Sequence, residues 1–360
     1  MKIVIFGLAV SSSWGNGHAA LWRGLIQALL AADHRVVFFE KDVPYYANNR
    51  DLHELPPGGT LVLYDQWADA LPRMRAELAD ADVGMVTSYC PDAPSATELV
   101  VGSNLAVRCF YDLDTPVTLA RIAAGEDVGY IGPDGLAPFD LVLSYTGGGA
   151  LDALRTRLGA RRTVPIYGSV DPALHHPAEP RPSYAALLSY LGTYAADRQA
   201  ALELLFVEPA RRLPNERFVI GGAQYPDSFP WTPNTYFVRH LPPPEHKAFY
   251  SSSRLTLNIT REAMGRMGWC PSGRLFEAAA CGVPILSDWF AGLDAFFVPG
   301  DEILVAHTTE DAMAALQLDD GALARIAARA RARALEEHSA TRRAAEMIAA
   351  FEMAHAGVAA

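Results

Sequence analysis

Arg274 and Glu277 are two ionisable residues three positions apart, in a segment whose pattern predicts a helix. Ser272 is a suitable N-cap for this helix, and Gly273 adds no side-chain bulk. Side chains three apart share one helical face, near the N-terminal end here. A guanidinium at that end suits a diphosphate, and a carboxylate one turn later suits a ribose diol. The alternative is a surface ion pair worth under about 1 kcal/mol, which needs no surrounding glycine and apolar residues.

A histidine follows the glycine-rich loop SSSWGNGHAA near the start of the chain. Gly15 and Gly17 let the backbone turn, and His18 then falls in the first turn of a helix-period segment. A helix N-terminus disfavours the charged imidazole, and a neutral imidazole can accept a proton from a substrate hydroxyl. The alternative is an ordinary exposed histidine after a turn.

The segment FYDLDTP carries Asp112 and Asp114 at the end of a predicted strand. This DxD spacing suggests a metal-bridged nucleotide, but Pro116 breaks the strand, so the two side chains need not share a face. One of them could instead hydrogen-bond a substrate hydroxyl or orient His18. Capping or turn formation by aspartate is the alternative.

Three consecutive glycines, Gly147 to Gly149, lie between a predicted strand and a predicted helix. Gly147 and Gly148 permit a close approach of the backbone to a ligand or to a facing domain. The pattern is not GxGxxG with a downstream acid, so it does not predict a dinucleotide site.

Strand-like runs alternate with helix-period segments, and this alternation predicts an α/β fold with parallel sheets and helical crossovers. The predicted strands are KIVIFGL at 2–8, RVVFFE at 35–40, TLVLY at 60–64, VGMVTS at 83–88, LAVRCFY at 105–111, FDLVLSY at 139–145, ALLSYLG at 186–192, RFVIGG at 217–222, TYFVRHL at 235–241, RLTLNIT at 254–260, PILSD at 284–288 and EILVA at 302–306. Helices are predicted at 18–30, 68–80, 149–158 and 196–206, and the C-terminal segment is helix-forming throughout.

A chain of 360 residues exceeds one ordinary core, so about two domains are expected. The segment YGSVDPALHHPAEPRPSY is rich in proline, lacks apolar periodicity and therefore predicts a linker. The expected organisation is an N-terminal domain at 1–177, a C-terminal domain at 178–335, and a C-terminal helix at 336–360 that packs back on the N-terminal domain.

The net charge of −11 argues against a nucleic-acid or membrane-surface footprint, because such proteins concentrate Lys and Arg. The four cysteines form no CxxC pair, so neither disulfides nor a zinc site is expected. No run reaches the length of a membrane span, and the apolar start reads as a buried strand and not as a signal peptide. We therefore expect a cytoplasmic protein; its oligomeric state is not encoded in any recognisable pattern.

The segment GRLFEAAACGVPIL is similar to the nucleotide-binding segment of GT-B glycosyltransferases. The longer run from LTLNITREAMGRMGWCPSG to GDEILVA resembles the C-terminal domain of the CgeB-type, spore maturation protein-like glycosyltransferases. LSYLGTYAADRQ resembles the start of that domain, while FYDLDTPVTL and the stretch from YTGGG to YGSVDP resemble the family's N-terminal domain. The likeness covers most of the chain and is most specific over residues 186–306.

This resemblance implies two Rossmann-like domains facing a central cleft, with an acceptor-binding N-terminal domain and a C-terminal domain that holds a nucleotide-diphospho-sugar. It also implies a donor-binding set. Glu277 matches the acid that holds the ribose hydroxyls, and Ser272, Gly273 and Arg274 match the loop and helix start that hold the diphosphate. Arg198 matches a basic residue near the phosphates, His240 follows the strand whose end meets the base, and Asn258 and Arg261 would face the same pocket.

The resemblance leaves the stereochemistry open. Many retaining members have a second glutamate eight positions before the ribose-binding one, where this chain has Trp269. GNGH, in contrast, is similar to the first loop of inverting members, whose histidine is the general base. His18, oriented by Asp114, would then be catalytic, and the loop residues Gly15, Asn16, Gly17, Gly147 and Gly148 would lie on the acceptor side.

The implied activity is transfer of a sugar from a nucleotide-diphospho-sugar to an acceptor hydroxyl or amine without a metal. No cofactor is expected, and a UDP- or dTDP-sugar is the expected co-substrate. A nucleotide-sugar 2-epimerase of the same fold and a non-catalytic nucleotide-sugar-binding protein are the alternatives. The sequence does not indicate the acceptor.

Overall fold

The computed structural model describes residues 1–14 and 16–358, and the chain divides into two α/β units. The first unit comprises Met1–Tyr167 together with the chain from Ala340 onward, and the second comprises Gly168–Ser339. Within the described residues no helix is both long enough and apolar enough to cross a membrane. The predicted α/β class with two parallel sheets is confirmed.

The first unit is built on a seven-stranded sheet whose neighbouring strands are all parallel. Its strands are β1 (Lys2–Gly7), β2 (Arg35–Lys41), β3 (Gly59–Tyr64), β4 (Val83–Thr87), β5 (Val107–Asp112), β6 (Leu141–Ser144) and β7 (Thr163–Pro165). They lie in the order β3-β2-β1-β4-β5-β6-β7. The order therefore reverses between β1 and β4, where ligands bind in open sheets of this type.

Helices connect these strands and cover both faces of the sheet. They are α1 (Gly17–Ala31), α2 (Pro44–Ala47), α3 (Trp67–Ala79), α4 (Ala93–Val101), α5 (Thr115–Ala123) and α6 (Gly149–Leu158). Successive side chains of β1 enter two separate cores, with Ile3 and Ile5 in one and Val4 and Phe6 in the other. Burial on both faces explains why this strand is a continuous apolar run.

The second unit repeats the arrangement with a six-stranded parallel sheet in the order β10-β9-β8-β11-β12-β13. Its strands are β8 (Ala186–Leu191), β9 (Phe218–Gly222), β10 (Thr235–Arg239), β11 (Ser253–Asn258), β12 (Ile285–Ser287) and β13 (Leu304–Val305). Its reversal point lies between β8 and β11, so the loops after these two strands are the candidate ligand loops.

The helices of the second unit are α7 (Gln199–Leu202), α8 (Glu208–Arg212), α9 (His246–Ser251), α10 (Glu262–Met267), α11 (Gly273–Ala280), α12 (Leu293–Phe296), α13 (Thr309–Leu316) and α14 (Asp320–Glu337). Two 3₁₀ turns, Ala196–Arg198 and Pro243–Glu245, precede α7 and α9. A π-type stretch, Glu203–Val207, joins α7 to α8. Pro209 follows it, and because proline has no N–H to donate, the regular helical ladder is interrupted there.

The last helix, α15 (Ala340–Val358), belongs to the first unit. Met347 and Phe351 are buried in the same core as Ile3 and Ile5. Arg162 donates a hydrogen bond to the main-chain carbonyl of Met353, which fixes the end of the helix to the loop before β7.

The boundary between the units lies at Tyr167–Gly168, ahead of the expected boundary at residue 177. The proline-rich segment is attached to the second unit: the N–H of Ala178 donates to Ser251 at 3.0 Å, and the N–H of Arg181 donates to Ser252 at 2.7 Å. The change at the other end occurs at Ser339–Ala340, since α14 continues to Glu337 in the second unit. Composition alone indicates a linker but not the unit to which it is bonded.

Candidate functional site

Arg274 lies at the reversal point of the second sheet. Its Nη1 donates to the main-chain carbonyl of Leu191 at 2.8 Å, at the end of β8, and its Nη2 donates to that of Ile259 at 3.0 Å, just after β11. Nη1 also donates to the hydroxyl of Tyr190 at 3.2 Å, and Nε donates to Ser272 Oγ at 3.1 Å. Four of its five N–H groups are therefore engaged by the protein. Arg274 brings a fixed positive charge to this position and also joins the two strand ends.

The close approach of Arg274 requires a glycine at position 192. A Cβ on Gly192 would lie 2.6 Å from Arg274 Nη1 and 2.9 Å from the Tyr190 hydroxyl. Any other residue would displace the guanidinium from the end of β8. Gly192 was not predicted from the sequence, because its partner Arg274 lies far away in the chain.

Ser272 occupies the N-cap position of α11 but makes no capping hydrogen bond, contrary to the expectation from sequence. Its hydroxyl accepts from Arg274 Nε instead. The first turn of an α-helix has N–H groups without intrahelical acceptors, and here no side chain of the N-cap satisfies them. The helix start at Gly273 is therefore available to an anion, beside a guanidinium.

Arg198 is the second cation at this end of the sheet. Its Nη1 donates to the carbonyl of Thr193 at 3.2 Å, whereas its Nε is buried and has no partner among the described residues. Burial lowers the pKa of Arg198, and the positive charge of Arg274 lowers it further. Two guanidinium groups close enough to repel each other are stabilised by an anion between or beside them.

A pocket of about 700 Å³ lies in front of Arg198. Asp197 lies on one side of it. Its Oδ2 accepts from Arg261 Nε at 3.3 Å and from the N–H of Glu262 at 3.1 Å, so these hydrogen bonds connect the loop after β8 to the loop after β11. The structure thus brings Arg198 and Arg261 together, as the sequence suggested. The pocket is lined by Thr193, Tyr194, Ala195, Ala196, Asp197, Arg198, Gln224 and Arg261.

Asn258 and His240, which the sequence also predicted for the donor site, are not among the residues that line this pocket. Asn258 is buried at the end of β11 and donates to Ser287 Oγ at 2.9 Å, so its side chain is used between strands and does not line the pocket. His240 is exposed, adopts a left-handed backbone conformation (φ 51°) and donates its N–H to the carbonyl of Gly222 at 2.9 Å. His240 thereby lies beside the loop after β9, the loop that also carries the pocket residue Gln224.

Glu277 lies on α11, one turn after Gly273, and faces two histidines. Ligand atoms of His175, His246 and Glu277 all lie within 4.8 Å of one another, and all three residues are partly buried. Burial lowers the pKa of His246, while the Glu277 carboxylate acts in the opposite direction. Neither histidine was singled out in the sequence, because the three residues come from separate segments.

Two further residues shape the loops of the second unit. Asp288 is partly buried after β12 and accepts from the N–H and the hydroxyl of Thr260 at 3.0 and 2.9 Å, which fixes the turn after β11. Burial raises the pKa of Asp288, and these hydrogen bonds oppose the rise.

Trp269 has a left-handed backbone (φ 49°), is 36% exposed, and donates its N–H to the carbonyl of Ala291 at 2.6 Å. A bulky residue in that conformation is rare, and such strain is concentrated near functional sites.

In the first unit, His18 and Asp114 lie together near the reversal point of the sheet. His18 Nε2 is 3.6 Å from Asp114 Oδ2, and both side chains are partly exposed. His18 Nδ1 is buried and has no partner among the described residues. This pair has the arrangement of an oriented general base: Nε2 faces a carboxylate that can orient the ring, and Nδ1 is the nitrogen left without a protein partner among the described residues.

The loop before His18 is held by Asn16 and Glu40. Asn16 caps α1 by accepting from the N–H of His18 at 3.1 Å, and its amide donates to the carbonyls of Ala9 and Ser12, each at 3.2 Å. The fully buried Glu40, at the end of β2, accepts from the N–H groups of Val10 and Ser11. Gly17 begins α1, and Gly15 lies outside the described residues.

A network of buried polar groups lies behind the His18–Asp114 pair. Asp112 is fully buried; its Oδ1 accepts from the N–H of Asp114 at 3.0 Å and from Thr118 Oγ1 at 3.1 Å, and its Oδ2 has no partner among the described residues. Burial raises the pKa of Asp112 to about 6. Thr118 Oγ1 is 2.8 Å from the Tyr130 hydroxyl, and the ring of Tyr89 lies between those of Tyr130 and His18 at 5.0 and 5.6 Å. Tyr89 has a left-handed backbone (φ 63°) and was not predicted.

The glycines before α6 have a local structural role. A Cβ on Gly147 would lie 2.0 Å from the Tyr167 hydroxyl, so the close approach there is made by a side chain of the same unit. Gly148 is the N-cap of α6 and has φ 55° and ψ −135°, a conformation that only glycine adopts readily. The acceptor-side placement of Gly147 and Gly148 stays a prediction.

Comparison with known proteins gives the class of this fold. Residues 198–349 match a family model described as glycosyl transferase-like. The whole chain is similar in structure to sucrose-phosphate synthase from Thermosynechococcus elongatus, with a TM-score of 0.71, 15% identity, and coverage of 99% of this chain and 100% of that one. No curated protein sequence matches the chain at a significant level.

Two further solved structures contain nucleotides. The Anabaena protein HepE in complex with UDP-glucose has a TM-score of 0.64 and 14% identity over 97% of this chain and 99% of that one. The catalytic domain of starch synthase IV from Arabidopsis thaliana, bound to ADP and acarbose, has a TM-score of 0.67 and 11% identity over 99% of each chain. Together with two Rossmann-type sheets, these likenesses show the GT-B fold. The chain thus has the GT-B fold, and its segment 198–349 matches the glycosyl transferase-like family model.

Proposed function

We propose that the protein is a metal-independent glycosyltransferase that moves a sugar from a nucleotide-diphospho-sugar to an acceptor hydroxyl or amine. A UDP- or dTDP-sugar is the proposed donor. We also propose that the protein belongs to the CgeB-type group and acts in the cytoplasm, as the sequence predicts.

The observation that carries this proposal is the grouping of cations at the start of α11. Arg274 spans the carboxyl ends of β8 and β11, and Arg198 has a buried Nε without a partner among the described residues. Arg274 itself belongs to the first turn of α11, whose N–H groups receive no side-chain cap from Ser272. A diphosphate matches this set in charge and in hydrogen-bonding capacity.

The proposed catalysis is stabilisation of the leaving diphosphate. Negative charge accumulates on the diphosphate as the glycosidic bond breaks, and fixed cations that already point at it lower the barrier. Arg198 supplies free N–H donors, and Arg274 supplies a charge whose position is fixed by its four hydrogen bonds. Removing one such contact typically costs about 3 kcal/mol, roughly a hundredfold in rate.

The remaining roles follow from position. Glu277, one turn along α11, would accept hydrogen bonds from the ribose hydroxyls, and the loops beside His240 would meet the base. His18 would take the proton of the acceptor and Asp114 would orient its ring, which is consistent with the 3.6 Å separation of the two side chains. We propose that Asn16 and Gly17 contribute to the acceptor side only by placing His18.

The proposal is tested by incubating the protein with a panel of nucleotide sugars, with and without candidate acceptors and with EDTA. We expect release of the nucleoside diphosphate together with a glycosylated product, at a rate that EDTA does not lower. Isomerised sugar from the donor alone would favour the epimerase instead. Donor binding without any turnover across the panel would favour a binding protein.

A further inference from the structure

A cluster of three metal-ligand side chains lies at one end of the second unit, at the position assigned to donor ribose. His175 comes from the proline-rich segment, His246 from the start of α9 and Glu277 from α11. One ligand atom of each lies within 4.8 Å of the others. The cluster is partly buried, so its members are held by the surrounding fold and still accessible from solvent.

The hydrogen bonds around the cluster leave acceptors facing one another. The imidazole of His246 hydrogen-bonds the carbonyl of Leu241, which fixes its tautomer and leaves the second ring nitrogen with a lone pair. His175 Nδ1 is buried and has no partner among the described residues. Glu277 adds a carboxylate. Three acceptors that converge on a small volume repel one another unless a proton donor or a cation lies between them.

We infer that His175, His246 and Glu277 form a binding site for a divalent transition-metal ion such as Zn²⁺, and that this ion and the donor nucleotide exclude each other. Two imidazoles and one carboxylate are a common zinc ligand set, and a backbone carbonyl that accepts from a ligand histidine is the usual outer support. Ligand atoms about 2.1 Å from one tetrahedral zinc lie about 3.4 Å apart, so only small side-chain rotations are needed. A fourth position stays open to water.

The mutual exclusion of metal ion and donor nucleotide rests on the proposed function, because it requires Glu277 to bind the ribose. The metal site itself does not depend on that function. The carboxylate of Glu277 cannot be a zinc ligand and also hold the two ribose hydroxyls with the same oxygens. The ion would therefore act as a competitive inhibitor of donor binding and have no part in the sugar transfer. Chelation would raise donor affinity in a metal-loaded preparation.

The site is tested first without any nucleotide, using the full chain and Co²⁺ or Zn²⁺ alone. We expect one ion per chain in equilibrium dialysis and, with Co²⁺, the visible absorption of a low-coordinate nitrogen and oxygen site. His175→Ala and His246→Ala should each weaken binding at least tenfold. His176→Ala is the matched control: the neighbouring histidine contacts Lys247 and the carbonyl of Pro177 and lies outside the cluster, so it should bind metal like the unchanged protein.

Two results would overturn the metal site: no stoichiometric binding at millimolar metal, or binding that neither substitution weakens. Glu277→Gln keeps the side-chain volume and provides a third ligand variant should His246→Ala fail to fold. The exclusion is then measured as UDP affinity at buffered free Zn²⁺ concentrations. We expect Zn²⁺ to weaken UDP binding in the unchanged protein and in His176→Ala, but not in His175→Ala. Metal binding with unchanged UDP affinity would refute the exclusion and the ribose role of Glu277 while leaving the metal site intact.

Discussion

Arg274 Nη1 donates a hydrogen bond to the main-chain carbonyl of Leu191 at 2.8 Å, so the guanidinium is attached to the strand end at which the second sheet reverses its order. Arg274 therefore has one role in the candidate ligand site and one in the fold, and the sequence pattern does not distinguish them. It keeps a charge near the start of α11, and it holds β8 and the loop after β11 together. Arg198, with its unpartnered Nε, is the residue with hydrogen bonds to spare for a ligand.

Replacing Arg198 should impair donor binding and turnover with little loss of stability. We expect Arg198→Ala to lower turnover about a hundredfold, because one preorganised contact to the leaving group is worth roughly 3 kcal/mol. Steady-state kinetics and a melting curve measure the two effects. The control is Arg211→Ala, an exposed arginine paired with Glu208 on α8, which should behave like the unchanged protein. Equal losses in both variants would argue against a specific phosphate contact.

Replacing Arg274 should differ from replacing Arg198 by destabilising the fold as well. Arg274→Ala leaves the carbonyls of Leu191 and Ile259 without their donor, and losing a hydrogen bond to a charged group costs about 1.5–3 kcal/mol. Denaturant unfolding of the second unit measures this cost. A variant of unchanged stability would show that the four hydrogen bonds of Arg274 are not maintained in solution.

Replacing His18 should affect catalysis and not donor binding. We expect His18→Ala to reduce turnover about 10²- to 10⁴-fold, the usual contribution of a general base, and Asp114→Asn to have a smaller effect through the orientation of the ring. Nucleotide affinity and turnover are measured together, with the exposed His53 replaced by Ala as the control. Full activity of His18→Ala would remove its assignment as the base.

Asp112 should make stability depend on pH. Its pKa is raised by burial from 3.8 to about 6, so the folded state holds the proton more tightly than the unfolded state. The stability from the protonated carboxyl is complete below about pH 4, falls as pH rises, and is lost above about pH 6; a shift of this size corresponds to about 3 kcal/mol. Melting curves of the unchanged protein and Asp112→Asn at pH 4 to 8 should diverge between about pH 4 and pH 6, in favour of the amide, and stay parallel above that range. A constant difference from about pH 4 to pH 6 would contradict the raised pKa.

Glu277 should distinguish ribonucleotides from nucleotides without the ribose hydroxyls. We expect Glu277→Ala to weaken the binding of UDP at least tenfold, since a hydrogen bond to a charged acceptor is worth about 1.5–3 kcal/mol. It should leave the binding of the 2′,3′-dideoxy analogue nearly unchanged, because that ligand has no diol. Calorimetry in the presence of EDTA provides both affinities. An equal effect on the two nucleotides would assign Glu277 to some other role.

Much of the fold could be predicted from the sequence, because both sheets are buried on both faces. A buried parallel strand is a continuous apolar run, so KIVIFGL and RVVFFE predicted β1 and β2 to within a residue or so. β7 was missed: it is three residues long and ends in Pro165, so it has no such run. The domain boundary was displaced because hydrogen bonds from Ala178 and Arg181 to distant serines determine where the linker belongs.

The candidate site could be predicted from the sequence only in part, for a related reason. Residues adjacent in sequence, such as Ser272, Gly273 and Arg274, form a recognisable segment, and the strand-loop-helix pattern placed His18 at the start of α1. Contacts between separate segments leave no local pattern. The dependence of Gly192 on Arg274, the network from Asp112 to Tyr89, and the meeting of His175 with Glu277 all required the three-dimensional structure.

The most direct test of the central claim is a crystal structure of the protein grown with UDP. We predict that the diphosphate lies within hydrogen-bonding distance of the Arg198 guanidinium and of the main-chain N–H of Gly273, beside the charge of Arg274. A nucleotide bound elsewhere on the chain, with the Arg198 Nε still without a ligand, would contradict the account.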